Sequence, residues 1–133
     1  MIREHLNPDI LAPPPGYSQV VKVTDGTTIY LAGQVAWDRD RNIVGENDFE
    51  AQTRQVFHNV AEALAAVGAG FGDLVKIGIY VVDHDMEKMA IVRRVRDEIM
   101  DGITPPASTL LGVEALAVPG LMIEIDAIAV VNT

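Results

Sequence analysis

The sequence predicts a single α+β domain with the element order ββαβαββ, in which two helices cover one face of a mixed sheet. Three observations lead to this prediction. Several segments alternate apolar and polar residues, two others repeat apolar residues at helical spacing, and turn-forming residues separate them. A chain of 133 residues can bury a core yet is short enough for one domain. Residues 1–133 are therefore interpreted as one domain, with residues 1–12 as an N-terminal extension.

Five segments have the character of strands. Residues 19–24 and 28–33 flank Asp25-Gly26, a dipeptide that tolerates the positive φ angles of a tight turn. This pattern predicts a β-hairpin. The other strands are predicted at residues 74–82, 107–114 and 121–131.

Two helices are predicted between these strands. Asn47, followed by Glu50 three residues later, has the pattern of a capping box, so we expect the first helix to begin there. Its apolar stripe consists of Val56, Val60, Ala63, Leu64 and Val67, and Gly68 and Gly70 end it. The second helix is expected from Asp83 or Asp85 to about Met100, with Met89, Val92, Val95 and Ile99 on its buried side.

The sheet face opposite the helices also carries many apolar residues, and no third helix is predicted to cover it. Burial against another subunit is the simplest way to remove that surface from water. We therefore expect the protein to self-associate.

Charge and composition narrow the classes of partner. The net charge is −9, with 10 basic against 19 acidic residues, which disfavours nucleic acid and anionic membranes. No run of about 18 apolar residues is present, and the N-terminus lacks a signal-peptide core. We expect a cytoplasmic protein whose partner is a small molecule or another copy of the chain.

The last strand carries the clearest chemical signal. Its period-two pattern places Leu121, Ile123, Ile125, Ala127 and Ala129 on one face and Met122, Glu124, Asp126 and Ile128 on the other. Two carboxylates separated by one residue on a strand are about 6.5–7 Å apart at their Cα atoms and can divide acid and base work. The same spacing is also common where both acids face solvent or pair with an arginine. The local pattern alone leaves both interpretations open.

Other candidate residues are weaker when taken alone. Tyr17 follows a stiff Pro-Pro-Pro-Gly approach and is suited either to orient a ligand or to be half-buried. Arg93, Arg94 and Arg96 are typical of a solvated helix face. Arg93 also borders the apolar stripe, so it is either solvated like its neighbours or able to reach past the helix edge and bind a carboxylate.

Several classes of site are disfavoured. The chain has no cysteine, and the histidines His5, His58 and His84 are far apart, so no metal is expected. Neither serine lies in a nucleophile elbow, and Gly68-Ala69-Gly70 closes a helix where a phosphate-binding loop would open one.

Four motifs occur in order over roughly residues 13–131: Pro15-Gly16-Tyr17-Ser18-Gln19, Leu31-Ala32-Gly33-Gln34-Val35, Pro106-Ala107-Ser108-Thr109 and Ile123-Glu124-Ile125-Asp126-Ala127-Ile128-Ala129. Together they resemble the Rid (YjgF) family of reactive-imine deaminases. The resemblance implies a chorismate-mutase-like fold, a homotrimer and ligand clefts between neighbouring subunits. It also implies cofactor-independent hydrolysis of a 2-imino or 2-enamino acid to a 2-keto acid and ammonia.

The same resemblance assigns roles to residues. Tyr17 matches the pocket tyrosine, Gly33 the glycine that donates its backbone N–H, and Glu124 the acid that holds the attacking water. Asp126 matches a second acid of that motif. Ala107 and Ser108 fall in the motif that contacts the substrate.

One position departs from the family pattern. The deaminases read Pro-Ala-Arg where this chain reads Pro106-Ala107-Ser108, and their arginine clamps the substrate carboxylate. A serine offers a neutral hydrogen bond in place of a charged bidentate contact. Either Arg93 supplies the cation from another wall of the cleft, or the ligand has no α-carboxylate there.

The sequence therefore leaves two functions of different class open. The first is a hydrolytic imine or enamine deaminase, and the second is a trimer that binds a small metabolite without catalysis. Ribonuclease action, a third activity associated with the family, is disfavoured by the acidic chain and the lack of a basic, aromatic groove.

Overall fold

Six strands and two helices build the fold in the computed structural model, which describes all residues from 1 to 133. The strands are β1 Ile2–Leu6, β2 Val20–Thr24, β3 Thr27–Val35, β4 Leu74–Val82, β5 Ala107–Val113 and β6 Ile123–Val131. The helices are α1 Phe49–Ala65 and α2 Met86–Ile99, and a short 3-10 turn at Phe71–Asp73 precedes β4.

The main sheet has four strands in the order β3-β6-β4-β5. Strand β6 is antiparallel to both of its neighbours, whereas β4 and β5 are parallel and are joined through α2. Strands β1 and β2 form a separate antiparallel pair. The α+β class and the mixed sheet with two helices are thus confirmed. Neither helix combines the length and the apolar character that crossing a bilayer requires.

The core lies between the main sheet and the helices, where the alternation predicted for the last strand is confirmed. Ile123 and Ile125 are 0% and 1% exposed, whereas the intervening Glu124 is half-buried on the other face. The helices contribute Val56, Phe57, Val60 and Leu64 from α1 and Val92 and Val95 from α2. Each such buried side chain stabilises the fold by about 1.5–3 kcal/mol, so the core fixes which face of each strand remains open.

The predicted hairpin between residues 19–24 and 28–33 is wrong. The chain does turn at Asp25 and Gly26, whose φ angles are 63° and 103°. The strands on either side nevertheless pair elsewhere, β2 with β1 and β3 with β6. Turn residues fix a local reversal of the chain, but the partner of a strand edge depends on long-range pairing that local sequence does not contain.

Part of the segment set apart as an N-terminal extension forms strand β1. The Arg3 side chain attaches it to the domain by donating hydrogen bonds to the backbone oxygens of Gly72 and Val130. These bonds link β1 to the turn before β4 and to the end of β6.

The predicted start of the first helix is wrong by one residue. Asp48 is the N-cap, and its carboxylate accepts a hydrogen bond of 3.0 Å from the backbone N–H of Ala51. Asn47 has a φ of 56° and cannot adopt the extended backbone of a cap. At the other end the helix stops at Ala65, so Val67 is 51% exposed and does not belong to the buried stripe. The second helix starts after Asp85, one of the two predicted caps.

Glu50, predicted to complete the capping box, instead connects the two helices. Its carboxylate pairs with Arg94 of α2 at 2.6 Å and with Arg54 at 3.1 Å. Hydrogen bonds from Arg94 and then Arg54 lower the pKa of Glu50 to about 2. Arg94 is therefore committed to an ion pair on the outer surface of the helices.

Candidate functional site

The structure divides the predicted site residues between the two faces of the main sheet. Tyr17, Arg93 and Ser108 line a cavity of about 260 Å³ on the face that α2 covers. We call it the arginine cavity, and its full lining is Pro15, Tyr17, Ile79, Met89, Val92, Arg93, Arg96, Ser108 and Leu110. Gly33, Glu124 and Asp126 lie on the opposite, open face. Ala107 also lies there, since it pairs with Lys76, and it does not line the arginine cavity.

Tyr17 is held in the arginine cavity by the backbone on either side of it. The N–H of Gly16 donates to the oxygen of Pro14 at 3.0 Å. Ser18, only 2% exposed, donates from its N–H to Pro106 and from its hydroxyl to the oxygen of Pro105. These bonds tie the segment to the beginning of β5. The backbone at Tyr17 is thus held against the beginning of β5, and Tyr17 and Ser108 line the same cavity.

Gly16 is required for this arrangement. Its φ is 94°, and a Cβ there would lie 2.2 Å from a guanidinium nitrogen of Arg96. Arg96 is 8% exposed, so the expectation that it belongs to a solvated helix face is wrong for this residue. Its Nε and Nη2 donate to Asp97 at 3.2 and 3.1 Å. Arg96 therefore packs α2 against the loop that carries Tyr17.

Arg93 differs from both neighbouring arginines because it has no hydrogen bond and no ion pair within the chain. It lies one helical turn before Arg96 and shares the same cavity. No aspartate or glutamate is among the residues that line this cavity. In a chain of net charge −9, the arginine cavity is a local cationic site with one guanidinium free to bind an anion.

The open face holds a second cluster, which we call the carboxylate face: Gly33, Gly78, Tyr80, Glu124 and Asp126. A bulge in β3 positions Gly33, because Leu31 faces Ala127 while Gln34 faces Ile125. A Cβ on Gly33 would lie 2.2 Å from Oε2 of Glu124, so only glycine admits the carboxylate this close to the backbone.

Glu124 is half-buried in this cluster, and its electrostatics suit proton transfer. Burial raises the pKa of the Glu124 carboxyl above its ordinary value of 4.5, and the charge of Asp126 raises it further. A carboxyl whose pKa moves toward neutrality exchanges protons more readily at physiological pH than an ordinary glutamate does. Glu124 is therefore the better placed of the two acids to act as a base.

Asp126 has a different partner. Its Oδ2 accepts a hydrogen bond of 3.1 Å from the hydroxyl of Tyr80 on β4. This bond raises the pKa of Tyr80 above 10.0, so the phenol keeps its proton and acts as a donor. Asp126 is oriented by the protein, whereas the Glu124 carboxylate has no hydrogen-bond donor within the chain.

The largest cavity, about 490 Å³, is an open groove along the outer edge of β3. Gly33 lines it, together with Trp37, Arg39, Asn59 and Glu62. The Asn59 amide donates to the backbone oxygens of Val35 and Trp37 and so fixes the path of the chain after β3. The carboxylate face thus continues into a groove at a strand edge that no other strand covers.

Sequence reasoning missed Gly78 and Tyr80, although a signal was present. In β4 the period-two pattern places Ile77, Ile79 and Val81 in the core and leaves Lys76, Gly78 and Tyr80 on the other face. Polar residues on one face of an otherwise apolar strand are the signal that singled out Glu124 and Asp126. Applied to β4, it indicates Tyr80. No group of three or more His, Asp or Glu side chains is arranged to hold a metal ion.

The comparisons with known proteins agree with this fold. A sequence model of the family described as endoribonuclease L-PSP matches residues 9–131. The chain is 34% identical over 113 residues to a RutC family protein of Pyrococcus horikoshii, covering 85% of each. It is 31% identical over 124 residues to a protein of Dermatophagoides farinae named 2-iminobutanoate/2-iminopropanoate deaminase, covering 92% of each.

Among solved structures, the Rid-family protein YyfB of Yersinia pestis, described as of unknown function, superposes with a TM-score of 0.91 at 39% identity. The match covers 98% of this chain and 100% of that one. The chain therefore belongs to the Rid family, also called the YjgF or RutC family.

Proposed function

We propose that this protein is a homotrimeric hydrolase that converts a reactive imine or enamine into a carbonyl compound and ammonia, in clefts between neighbouring subunits. One observation carries the proposal: the residues expected to form one site lie on opposite faces of the sheet. The arginine cavity is cationic, and the carboxylate face is anionic. Within one chain the arginine cavity has no acid to act as a base, and Lys76, the cation that shares the open face, already donates to Thr109. The arginine cavity of one copy is therefore expected to face the carboxylate face of the next.

The chemistry assigns a separate task to each half. Glu124 takes a proton from water as the water oxygen adds to the imine carbon, and passes this proton to the imine nitrogen, which gives a tetrahedral carbinolamine. Glu124 then takes the hydroxyl proton of the carbinolamine and delivers it to the nitrogen, which leaves as ammonia as the carbonyl double bond forms. The backbone N–H of Gly33 and the phenol of Tyr17 from the other subunit orient the reacting group. Arg93 and Ser108 bind the remainder of the substrate.

Arg93 is proposed as the anion-binding residue in place of the arginine that other members carry at the position of Ser108. It lines the same cavity as Ser108 and has no partner in the chain. A charge-assisted hydrogen bond contributes about 1.5–3 kcal/mol, enough to retain an α-carboxylate that a serine alone holds weakly. The similarity to a protein named as an iminobutanoate and iminopropanoate deaminase supports this choice of substrate class.

Because Ser108 stands where the deaminases have an arginine, a second function is also considered: a trimer that binds a small metabolite without converting it. The two functions differ in whether Glu124 is used for chemistry. In an assay where an amino-acid oxidase generates imino acids from a panel of amino acids, the proposed enzyme accelerates release of keto acid. No acceleration across the panel by folded trimer, with activity appearing in Ser108→Arg, would instead favour the binding function.

Mixing two inactive variants tests the shared cleft directly. Glu124→Gln and Arg93→Ala trimers are each expected to be inactive at low substrate concentration. When they are unfolded and reassembled together in equal amounts, roughly a quarter of the clefts combine an intact arginine cavity with an intact carboxylate face. About that fraction of wild-type activity is expected to return. Activity that stays at the level of the separate variants would place the whole site within one chain and overturn the proposal.

The matched control for this experiment uses Arg94→Ala in place of Arg93→Ala. Arg94 lies on the same helix but pairs with Glu50 outside the arginine cavity. Its trimers are expected to be active before mixing, so dilution with Glu124→Gln subunits lowers their activity and nothing is restored.

A further inference from the structure

Tyr80 forms a hydrogen-bonded pair with Asp126 on the open face of the sheet. The two residues lie on adjacent antiparallel strands, and the register places Tyr80 directly opposite Glu124 and Asp126 opposite Gly78. The phenol reaches diagonally across to Oδ2 of Asp126, at 3.1 Å. Side chains of opposite and diagonal pairs on one sheet face are close enough to interact, so Tyr80 lies beside both carboxylates.

Gly78 provides the space for this pair. A Cβ at position 78 would lie 2.4 Å from Oδ1 of Asp126 and 2.8 Å from the Tyr80 hydroxyl. The backbone of Gly78 is not in the left-handed region. Gly78 is therefore needed because a side chain would not fit there, and not because the backbone adopts an unusual conformation.

Few other ionisable groups compete for the pair. On β4, Lys76 shares the open face, but its ammonium donates to the hydroxyl of Thr109 at 2.8 Å. On β3, Tyr30 is 77% exposed and makes no hydrogen bond through its phenol. Strand β5 contributes no ionisable residue. Asp38, Arg39 and Glu62 line the groove beyond Gly33, at the outer edge of β3.

We infer that Tyr80 is a positioning residue that fixes the Asp126 carboxylate beside Glu124, and that Tyr80 therefore acts on Glu124 through Asp126. The inference rests on the proposed role of Glu124 as the base. The donated hydrogen bond holds the Asp126 carboxylate in one position on the open face of the sheet. That charge in turn disfavours ionisation of Glu124, in addition to the effect of burial.

The direction of the effect follows from this chain of contacts. In Tyr80→Phe the Asp126 carboxylate loses the donor that anchors it and is no longer held beside Glu124. A charge that is held less closely opposes ionisation of Glu124 less, so the titration midpoint of Glu124 falls. Asp126→Asn removes the charge completely and lowers the midpoint by more. Gly78→Ala, which changes neither partner but displaces both, acts in the same direction as Tyr80→Phe.

The experiment follows the Glu124 side-chain carboxyl by ¹³C NMR as the pH of the assembled protein is varied. The midpoint is expected to fall in Tyr80→Phe and Gly78→Ala, to fall further in Asp126→Asn, and not to fall again when Tyr80→Phe is added to Asp126→Asn. Tyr30→Phe, which removes an unbonded phenol from the same face, is the control and is expected to leave the midpoint unchanged. In the deaminase assay, the acid limb of the pH–rate profile is expected to move in the same order.

Two results would overturn the inference. The first is an unchanged Glu124 midpoint in Tyr80→Phe. The second is a fall caused by Tyr80→Phe in the Asp126→Asn background, which would mean that Tyr80 acts on Glu124 directly. The NMR titration needs no substrate, so the coupling of Tyr80 to Glu124 is decided even if no turnover is found. Absence of turnover with the expected NMR shifts would remove the proposed reaction and leave the coupling in place.

Discussion

The arginine cavity and the carboxylate face occupy the two sides of one four-stranded sheet, and they differ in charge, in covering and in the partners of their ionised groups. The cavity lies beneath α2, is lined by two arginines and has no acidic residue in its wall. The carboxylate face has no helix over it and holds two acids, one of them bonded to Tyr80. The cavity thus has arginines but no acid, and the carboxylate face has acids but no arginine. Binding and proton transfer are therefore expected to respond to different substitutions.

The largest expected effect is on the chemical step and comes from the carboxylate face. Glu124→Gln keeps the shape of the side chain but cannot accept a proton, so kcat is expected to fall by about 10²–10⁴-fold with little change in KM. Steady-state kinetics on the best imino acid of the panel measures this split. Glu114→Gln, which changes an exposed carboxylate in a surface loop, is the control. An equal kcat for Glu124→Gln and wild type would remove Glu124 from the chemistry.

Substitution in the arginine cavity is expected to change KM more than kcat. Arg93→Ala removes the one guanidinium there without a partner, and KM for a carboxylate substrate is expected to rise by about 10–100-fold while kcat changes less. Arg93→Lys keeps the positive charge without the bidentate guanidinium, so its KM is expected to lie between those of wild type and Arg93→Ala. Arg94→Ala is again the control. If KM rises equally for Arg93→Ala and Arg94→Ala, the cavity does not bind the substrate anion.

The smallest effect concerns stability, and it also separates the two regions. The folded protein raises the pKa of Glu124 above its ordinary value of 4.5, so ionisation of this group opposes folding. Its destabilising contribution is absent below about pH 4.5 and develops as the pH rises through the raised pKa. Glu124→Gln is therefore expected to be slightly more stable than wild type at pH 7–8, with the difference vanishing in acid.

Thermal unfolding at a fixed protein concentration measures that difference, because self-association makes Tm depend on concentration. Tyr30→Phe, which changes an exposed side chain and removes no carboxylate, provides the comparison, and its effect on Tm is expected to vary little over the same pH range. A Glu124→Gln protein that is less stable than wild type at every pH would mean that the carboxylate has a stabilising partner in the assembly.

Sequence reasoning succeeded mostly where a residue's role depends on its own strand or helix, although it placed the cap of α1 one residue early and extended the helix stripe to Val67. The alternation in β6 located the open-face acids, and Asp85 was among the predicted caps of α2 because capping uses the few residues at a helix start. It failed where the outcome depends on residues distant in the chain. The hairpin at Asp25-Gly26 was wrong because β1 and β6 provide the pairing edges, and Arg96 is buried because the loop around Gly16 covers it.

The candidate site shows the same division. The four family motifs, read from the sequence alone, predict that Tyr17, Gly33, Ser108 and Glu124 belong to one site. The motifs do not indicate which face of the sheet each residue occupies. A motif depends only on the order of residues, whereas the face that a side chain occupies depends on how the strands pack. Tyr80 lies outside every motif; the alternation in β4 places it on the open face, but only the folded structure shows its hydrogen bond to Asp126.

The sequence by itself determined the family, the class of fold and the open-face position of the acids, since these depend on residue order and on the period of a strand. Only the tertiary structure decided that Arg93 and Glu124 lie on opposite sides of the sheet, that Arg93 alone among its neighbours lacks a partner, and that Tyr80 donates to Asp126. The physical reason is that ion pairs and the sheet face on which a side chain lies depend on elements distant in sequence. These elements come together only when the core packs.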